Sequence, residues 1–537
     1  MAVAVMEALM IFIASCLCVF LILHLIKFFN KVWWNPIRIQ SAMRAQGMRG
    51  PPYRFLHGNT KEIYNMRSEI MSSPMELSHQ MLARIQPHVY SWIKLYGMNF
   101  LSWYGPQAQL VITEPELIKE VLSNKDGAYP KSVIQNYAEK LLGDGLVLSQ
   151  GKKWLKMRKL ANHAFHAESL KVIQPATTKH RFYVLQNMIP AMISSSEIML
   201  ERWRHYESKE IDVFLEFKVL TSEIISKTAF GSSYLEGQHI FDMLTRMAHL
   251  ISGNSYRIRI PGIGFFLKTS DDIESENLEA TIRNSFMNMM KKREQEAMLG
   301  DIDGYGNDFF GFLLEAYHDS DKTKKISVDD LIDECKTFFV GGQETTSSSL
   351  TWTVLLLAIH TDWQDKARNE VLELFGQQNP SQDSIAKLKI MSMVINESLR
   401  LYSPIVAVTR RVEREIKMGK ITVPANMEVI ISTLAVHQNP EIWGEDVHLF
   451  KPERFAEGLA KATNNNIAAF FPFGLGPRNC VGVSFSITET KVALSMILQR
   501  YRFTLSPTYA HCPVEVLTMC PQHGVQVILQ PYEPKLL

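Results

Sequence analysis

Hydrophobic residues recur at helical spacing along most of the chain, and short stretches of strand-like composition lie between them. The pattern predicts helices at 213–228, 282–297, 328–360, 363–375 and 385–401. It predicts strands at 109–112, 428–432 and 526–529, near the carboxyl terminus. Loops are expected at 300–307, which is rich in Gly and Asp, and at 318–325, which is rich in charge. We therefore expect a mainly α-helical protein with a small β portion.

The longest uncharged hydrophobic stretch lies near the amino terminus, at residues 8–26. Nineteen residues at about 1.5 Å each span roughly 28 Å, which is close to the thickness of a bilayer's hydrocarbon core. A cleaved signal peptide is the alternative, but Glu7 precedes the stretch, and basic residues follow it together with Trp33 and Trp34. We predict a transmembrane anchor at 1–30, a basic and proline-containing linker at 31–55, and a cytosolic body.

The rest of the chain, 56–537, contains no second linker, repeat or low-complexity stretch, so we expect one large domain. Its composition, 46% hydrophobic and 21% charged, excludes a disordered or fibrous protein. The net charge of +2 argues against nucleic acid as a partner. Six cysteines are too few for a disulfide-built fold, and they do not repeat at a metal-ligand spacing. Chemistry at cysteine therefore rests on one thiol.

One cysteine lies in a glycine-rich loop, FGLGPRNCVG, at residues 473–482. Backbone N–H groups directed at a sulfur stabilise a metal-binding thiolate, and glycines let the backbone come close to it. Phe473 can cover one face of a flat cofactor, and Arg478 can pair with a carboxylate such as a porphyrin propionate. A structural cysteine in a turn is the alternative. The pattern F-x-x-G-x-R-x-C-x-G is, however, much more specific than a bare Gly-x-x-Cys.

On this pattern the sequence resembles the cytochrome P450 family, the haem-thiolate monooxygenases. The resemblance implies one large domain of that type behind the transmembrane helix, with haem b as its cofactor. Cys480 would be the axial iron ligand, Phe473 would lie against the haem, and Arg478 would meet a propionate. Gly474 and Gly482 belong to the same cofactor-binding loop.

A second motif, GGQETT at 341–346, lies inside the long predicted helix at 328–360. Two adjacent glycines within a helix cost roughly 1 kcal/mol each relative to alanine. Close helix packing is one explanation, and room for a flat cofactor and a small ligand is the other. The motif resembles the oxygen-activation motif of the family, A/G-G-x-D/E-T. By that resemblance Thr345 would hydrogen-bond dioxygen, and Glu344 would support proton delivery.

A third motif, E-x-x-R, is formed by Glu397 and Arg400, which share a helix face and can pair. An exposed pair that contributes little to stability is the alternative. The motif is a hallmark of the family, and Arg454 in the segment FKPERF (450–455) matches its third member. The resemblance implies a structural network that supports the cysteine loop.

Further matches concern the propionates of the haem. Trp154 and Arg158 are i,i+4 neighbours and match the W-x-x-x-R helix of the family, which donates to propionates. Arg410 matches another propionate contact, although the adjacent Arg411 could serve instead. Ser403 departs from the family, which usually has a proline at this position.

The W-x-x-x-R helix is also basic. Its cationic residues are Lys152, Lys153, Lys156, Arg158 and Lys159. They form either a solvated face or a docking patch for an acidic electron donor. The sequence contains neither a dinucleotide-binding G-x-G-x-x-G at a strand–helix junction nor a P-loop, so electrons must come from a partner. The resemblance names that partner as a membrane-bound NADPH–cytochrome P450 reductase.

The resemblance extends from about Pro51 to Val527, and finer features match plant microsomal enzymes that act on terpenoid-derived hormones and triterpenes. It places the chain in the endoplasmic reticulum membrane, with lipids, O₂ and a lipophilic substrate (terpenoid, hormone-like or fatty-acid-like) as partners. Candidate substrate contacts, which could equally be ordinary core, are Phe338, Phe339, Ile405, Val406, Ala407 and Leu517. Two alternative functions stay open: a haem-thiolate isomerase or dehydratase that needs no reductase, and a non-catalytic haem-binding membrane protein.

Overall fold

A computed structural model describes residues 2–132, 137–165, 183–257 and 268–533. Helices dominate, as the sequence predicts. The first half of the described chain contains α1 (Ala2–Phe29), α2 (Asn35–Ala45), α3 (Thr60–Met71), α4 (Met81–Ile85), α5 (Pro87–Tyr96), α6 (Pro115–Leu122), α7 (Tyr137–Leu142), α8 (Gly151–Phe165), α9 (Tyr183–Trp203), α10 (Val213–Phe230) and α11 (Tyr234–Asn254). The second half contains α12 (Ser270–Leu299), α13 (Phe309–His318), α14 (Val328–Ile359), α15 (Thr361–Phe375), α16 (Gln382–Ile385), α17 (Lys389–Leu401), α18 (Thr433–His437), α19 (Pro440–Trp443), α20 (Leu459–Ala462) and α21 (Val483–Arg500).

Small β-sheets complete the fold, which confirms the predicted β portion. The strands are β1 (Phe100–Tyr104), β2 (Gln107–Ile112), β3 (Glu210–Asp212), β4 (Ala407–Arg411), β5 (Ile416–Met418), β6 (Ile421–Val423), β7 (Glu428–Ser432), β8 (Tyr501–Leu505), β9 (Pro513–Glu515), β10 (Met519–Pro521) and β11 (Gln526–Pro531). The largest sheet has the order β1-β2-β7-β4, in which β2 and β7 are parallel and the other pairs are antiparallel. Strands β3-β11-β8, β9-β10 and β5-β6 form the other described sheets. A large helical core and a second core beneath the main sheet are both apolar.

Helix α14 runs through the large core and carries the GGQETT motif. It begins with a capping box in which Ser327 accepts from the N–H of Asp330 and the Asp330 carboxylate accepts from Ser327. A similar box at Thr269 and Asp272 starts α12 well before the predicted residue 282, and left-handed Gly300 ends it. The cap precedes the hydrophobic repeat, so the repeat alone does not predict where α12 begins.

The predicted helix at 385–401 is wrong in one respect, because the chain forms two helices there. The short helix α16 ends at Ile385, and α17 begins at Lys389. The carboxylate of Glu370, on α15, accepts hydrogen bonds from the N–H groups of Lys389, Ile390 and Met391 at 2.6–2.9 Å. A side chain from a neighbouring helix thus caps α17, and local periodicity does not reveal such a cap.

The amino-terminal helix is continuous with the region predicted as a linker. Helix α1 passes through one π-helical segment, Asn30–Trp34, directly into α2. The segment Val5–Ala45 is long and apolar enough to cross a membrane by length and composition. Val32 and Met43 are buried against the body, while Trp33 and Trp34 stay exposed. The junction is therefore helical and packed on the globular part.

Candidate active site

The cysteine loop lies between α20 and α21 and is closed by its own backbone. The N–H of Cys480 donates to the carbonyl of Phe473 at 2.8 Å, and the N–H of Asn479 donates to Gly476 at 3.1 Å. Gly476 has a φ of +73°, and a Cβ there would lie 2.2 Å from the carbonyl oxygen of Leu122. Only glycine fits this position, because the backbone of α6 approaches it so closely.

The sulfur of Cys480 faces a backbone donor. The N–H of Gly482 lies 3.3 Å from Sγ, which is the geometry expected for a stabilised thiolate. The side chain is accessible on one side, but the protein packed around it raises the pKa of the thiol, whereas the Gly482 N–H and Arg158 lower it. The site thus supplies part of the stabilisation of a thiolate, and a cationic metal at the sulfur would supply more.

Arg478 belongs to the loop, and Arg158 contacts the loop from α8. The guanidinium of Arg478 stacks 4.4 Å from the ring centroid of Trp154 and donates to the carbonyl of Ser149 at 2.8 Å. Arg158 donates to the carbonyl and the side-chain oxygen of Asn479 at 2.5 and 2.8 Å. The W-x-x-x-R helix, α8, therefore packs against the cysteine loop.

The adjacent arginines of β4 have different surroundings. Arg411 pairs with Glu413 at 2.6 Å and is partly exposed. Arg410 is only 5% exposed and has no carboxylate partner among the described residues. Burial and the charge of Arg478 lower the pKa of Arg410 to about 10. Of the two, Arg410 is the buried one and lies near the charge of Arg478.

Sequence reasoning missed a fourth cation in this group, Lys131. It forms an isolated β-bridge with Arg410, and no described carboxylate pairs with it. Burial, with the charges of Arg410 and Arg478, lowers the pKa of Lys131 to about 7. A buried group of like charges is unfavourable unless an anion joins it. We name the four residues Lys131, Arg158, Arg410 and Arg478 the cation cluster.

The chemistry of the cation cluster and the cysteine loop can be compared with what haem requires. Haem needs an axial donor and counter-charges for two propionates, and the site offers a thiol with a backbone N–H on its sulfur and four cations. Burial, with the charge of Arg158, also lowers the pKa of Arg478 to about 10. The indole N–H of Trp154 has no protein acceptor among the described residues, so it can donate to an anion. The donor set fits the group.

The two glycines of α14 have separate roles. A Cβ at Gly342 would lie 2.5 Å from Cγ1 of Ile225 on α10, so Gly342 allows close helix packing. A Cβ at Gly341 would have nothing within 4 Å, so Gly341 faces open space. Both explanations offered by the sequence apply, each to a different residue.

Glu344 and Thr345 follow these glycines. The hydroxyl of Thr345 donates to the carbonyl of Gly341 at 2.7 Å, which leaves its oxygen free to accept. Glu344 forms an ion pair with Lys218 of α10 at 3.3 Å. The neighbouring Thr346 hydroxyl lies 3.1 Å from that of Ser486 on α21, so this part of α14 is joined to the helix that follows the cysteine loop.

The E-x-x-R pair is fully buried, which excludes the alternative of an exposed pair. Arg400 donates to both oxygens of Glu397 at 2.7 Å, and neither side chain is exposed. Arg454 lies 3.4 Å from the same carboxylate and donates to the carbonyl of Trp443 at 2.7 Å. The segment containing Arg454 is thereby fixed to α17 and α19.

The basic face of α8 is smaller than its sequence suggests. Lys153 pairs with Asp144 at 2.9 Å and Asp330 at 2.6 Å, and Arg158 turns inward. Lys156 donates to the carbonyl of Lys325, which brings the loop after α13 to the same surface. The exposed lysines of the two segments are Lys152, Lys159, Lys322, Lys324 and Lys325. This surface, which we name the lysine surface, is thus built from two segments.

A separate apolar cleft of about 540 Å³ adjoins the cysteine loop and includes Asn396, Phe473 and Ile487.

The candidate substrate contacts divide into two groups. Phe339 lies among Phe230, Phe241 and Phe286, with ring centroids 4.3–5.3 Å apart, and belongs to the core. Phe338 also belongs to the core, because its ring stacks on that of Phe165 with the centroids 5.1 Å apart. Val406 is buried.

The remaining contacts flank the core. Ile405 is exposed, and Ala407 and Leu517 are half-buried. The hydroxyl of Ser403 donates to the carbonyl of Ile405 at 3.2 Å, so it supports the turn where the family usually has a proline.

Comparison with known proteins agrees with this geometry. Residues 77–529 match the family described as Cytochrome P450. The chain is 56% identical to cytochrome P450 CYP749A22 of Panax ginseng over 522 residues, 97% of each chain. It is 38% identical to cytochrome P450 734A1 of Arabidopsis thaliana over 95% of each chain. It is 39% identical to the 11-oxo-beta-amyrin 30-oxidase of Glycyrrhiza uralensis over 93% of this chain and 94% of that protein.

A buried E-x-x-R network, a cysteine in a closed glycine-rich loop and a glycine-bearing central helix define a haem-thiolate protein. The chain belongs to the cytochrome P450 family. It is an oxidoreductase that incorporates oxygen from O₂ and takes haem through a cysteine, as its family does. Its apolar amino-terminal helix is consistent with the membrane anchor of a plant microsomal enzyme.

Proposed function

We propose that this chain hydroxylates a lipophilic small molecule of terpenoid, hormone-like or fatty-acid-like chemistry, with electrons from an NADPH–cytochrome P450 reductase. The observation that carries the proposal is the thiol of Cys480, which accepts from the Gly482 N–H beside four cations without carboxylate partners in the described chain. Cys480 would hold the iron, and the cation cluster with Trp154 would hold the propionates. Phe473 and Gly474 would form the loop surface against the cofactor.

The bound haem would supply oxygen activation and C–H oxidation, with thiolate donation favouring O–O cleavage. The residues of the chain bind, orient and deliver protons. Thr345 accepts or donates at its hydroxyl, Glu344 exchanges protons with solvent, and Gly341 leaves space beside them. Half-buried apolar residues such as Leu517 suit a lipophilic substrate. The name of the Glycyrrhiza relative, which concerns a β-amyrin derivative, makes triterpenes the first substrates to test.

The lysine surface is the proposed contact for the acidic electron donor, because charge complementarity raises the encounter rate. The anchor is proposed at 1–30, the linker at 31–55 and the monooxygenase domain at 56–537. The endoplasmic reticulum membrane is the proposed location, with the catalytic domain on the cytosolic side. The basic residues after the apolar stretch and the exposed Trp33 and Trp34 support this orientation.

The test uses the full-length protein in lipid vesicles with reductase, NADPH and O₂, and a panel of triterpenes, steroids and fatty acids. We expect substrate-induced spectral shifts and a hydroxylated product that requires both reductase and NADPH. A product formed without either would instead indicate the isomerase or dehydratase. Haem-loaded protein with no spectral shift and no turnover on the panel would contradict the proposed monooxygenase function.

A further inference from the structure

One face of α10 contacts three consecutive residues of α14, just before Thr345. Ile225 fills the space beside Gly342, and Ser222 accepts from the side-chain amide of Gln343 at 2.7 Å. Lys218, two turns nearer the start of α10 than Ile225, lies 3.3 Å from the Glu344 carboxylate. Residues three and four apart share a helix face, so Lys218, Ser222 and Ile225 form one stripe of α10 that contacts the middle of the motif.

The two side chains of the Lys218–Glu344 ion pair differ in their exposure to solvent. The Lys218 side chain is 23% exposed and that of Glu344 is 12% exposed, so the ammonium is the more accessible member. The Lys218 ammonium also lies 5.0 Å from the centroid of Phe214, which restricts its motion. A shielded ion pair keeps more of its Coulomb energy than an exposed pair does.

A third polar group, the thiol of Cys520 on β10, has a pKa that depends on both charges. Burial and the charge of Glu344 raise the pKa of Cys520 and the charge of Lys218 lowers it, with a net pKa of about 12. Glu515 on β9 is another described charge that acts on this thiol. The surroundings of Glu344 thus include a cation from α10 and a thiol from β10.

We propose that Lys218 is a positioning residue for Glu344. Its ammonium holds the carboxylate in one orientation, with its accessible side toward solvent. Glu344 takes one proton from solvent at that side, releases it toward Thr345, and returns to the carboxylate form. Without Lys218, Glu344 would lose its counter-charge and its fixed orientation. The inference rests on the proposed function, because a proton route at Glu344 serves oxygen activation.

The activity test compares Lys218→Met, Lys218→Arg and the matched control Lys227→Met in the reconstituted full-length holoenzyme. Lys227 lies on the same helix and pairs with Glu223 at 2.9 Å, away from Glu344. For Lys218→Met we expect product per NADPH to fall about tenfold, with more hydrogen peroxide released. Lys218→Arg should restore most of the ratio, and Lys227→Met should match the wild type.

A second readout does not depend on turnover. The rate at which iodoacetamide alkylates Cys520 is followed by peptide mass spectrometry in the holoenzyme. Lys218→Met should slow alkylation by a few-fold up to about tenfold, because the thiolate loses a stabilising charge. The double variant Lys218→Met/Glu344→Gln should return the rate toward the wild type. Equal rates in Lys218→Met and Lys227→Met would contradict the pair.

The experiments distinguish a wrong positioning role for Lys218 from a wrong monooxygenase function. If the wild type forms product but Lys218→Met has the same ratio of product to NADPH as Lys227→Met, the positioning role of Lys218 is wrong and the monooxygenase function stands. If the wild type forms no product on any lipophile, the proposed function is wrong, and the positioning role falls with it even where alkylation still reports the ion pair.

Discussion

Lys131 and Arg410 face each other across an isolated antiparallel β-bridge, and neither has a carboxylate partner in the described part of the chain. A buried cation beside a second, half-buried one is unfavourable on its own. Their stability therefore depends on an anion, and the propionates of haem are that anion in the proposed site.

Lys131→Met should weaken haem retention. A hydrogen bond to a charged group contributes roughly 1.5–3 kcal/mol, so haem affinity should fall about tenfold or more. The haem-to-protein ratio after purification and the rate of haem transfer to an apoprotein acceptor measure this loss. Arg411→Met is the matched control, because Arg411 already pairs with Glu413. Equal retention in the two variants would exclude Lys131 from the propionate site.

Gly342→Ala should destabilise the protein, because its Cβ would lie 2.5 Å from Ile225. Overpacking of this kind costs typically about 1–3 kcal/mol. Gly341→Ala should keep or raise stability, since its Cβ meets nothing within 4 Å, but should change the substrate-induced spectral shift. Denaturant titration and ligand titration of both variants separate the two effects. The Gly342→Ala/Ile225→Ala double variant should recover part of the stability, and no recovery would contradict the packing role.

Removal of the buried charge at Glu397 should be strongly destabilising. Glu397→Gln leaves Arg400 without its counter-charge at zero exposure, which costs about 3–5 kcal/mol in such pairs. The exposed pair Arg283–Asp329 is the control, and Asp329→Asn should change stability by only about 0–1 kcal/mol. The free energy of unfolding of the solubilised holoenzyme is the measurement. A loss for Glu397→Gln as small as that for Asp329→Asn would show that the network is not structural.

Acidification should destabilise the fold through buried neutral histidines. Burial lowers the pKa of His79 and His437 to about 3 and that of His511 to about 4, against an unfolded value near 6.5. The unfolded state then binds more protons than the folded state. The stability that each neutral histidine contributes is therefore fully present above pH 6.5 and is lost as the pH falls toward 3–4. Each such histidine contributes a slope of up to about 1.4 kcal/mol per pH unit.

The pH dependence is measured as the free energy of unfolding between pH 7 and pH 5, where the protein still folds. His511→Gln should reduce the slope, whereas His57→Gln, at an exposed position, should leave it unchanged. A slope that is the same in His511→Gln and the wild type would contradict a buried, neutral His511.

Short-range sequence signals predict much of this molecule. The capping box is formed by Ser327 and Asp330, which are only three residues apart, and it marks the start of α14 correctly. The E-x-x-R pair is also local, because an i,i+3 spacing places Glu397 and Arg400 on one face. The sequence does not reveal that the pair is fully buried, since burial depends on the chain that packs over it.

Long-range contacts account for what the sequence does not reveal. Glu370 caps α17 from another helix, so one periodic stretch folds as two helices. Lys131 joins the cation cluster only because its strand-like segment pairs with β4, far along the chain. Lys153 looks like part of a free basic face until α14 supplies Asp330. In each case the partner is distant in sequence and has no local signature.

The central claim is that the Cys480 thiolate binds the haem iron, and the reduced, carbon monoxide-bound absorption spectrum tests it most directly. The Cys480→Ser variant is compared with the wild type and with Cys16→Ser, which changes an exposed cysteine of α1. The account predicts a thiolate-type spectrum in the wild type and in Cys16→Ser, and its loss in Cys480→Ser. A thiolate-type spectrum retained by Cys480→Ser would contradict the claim.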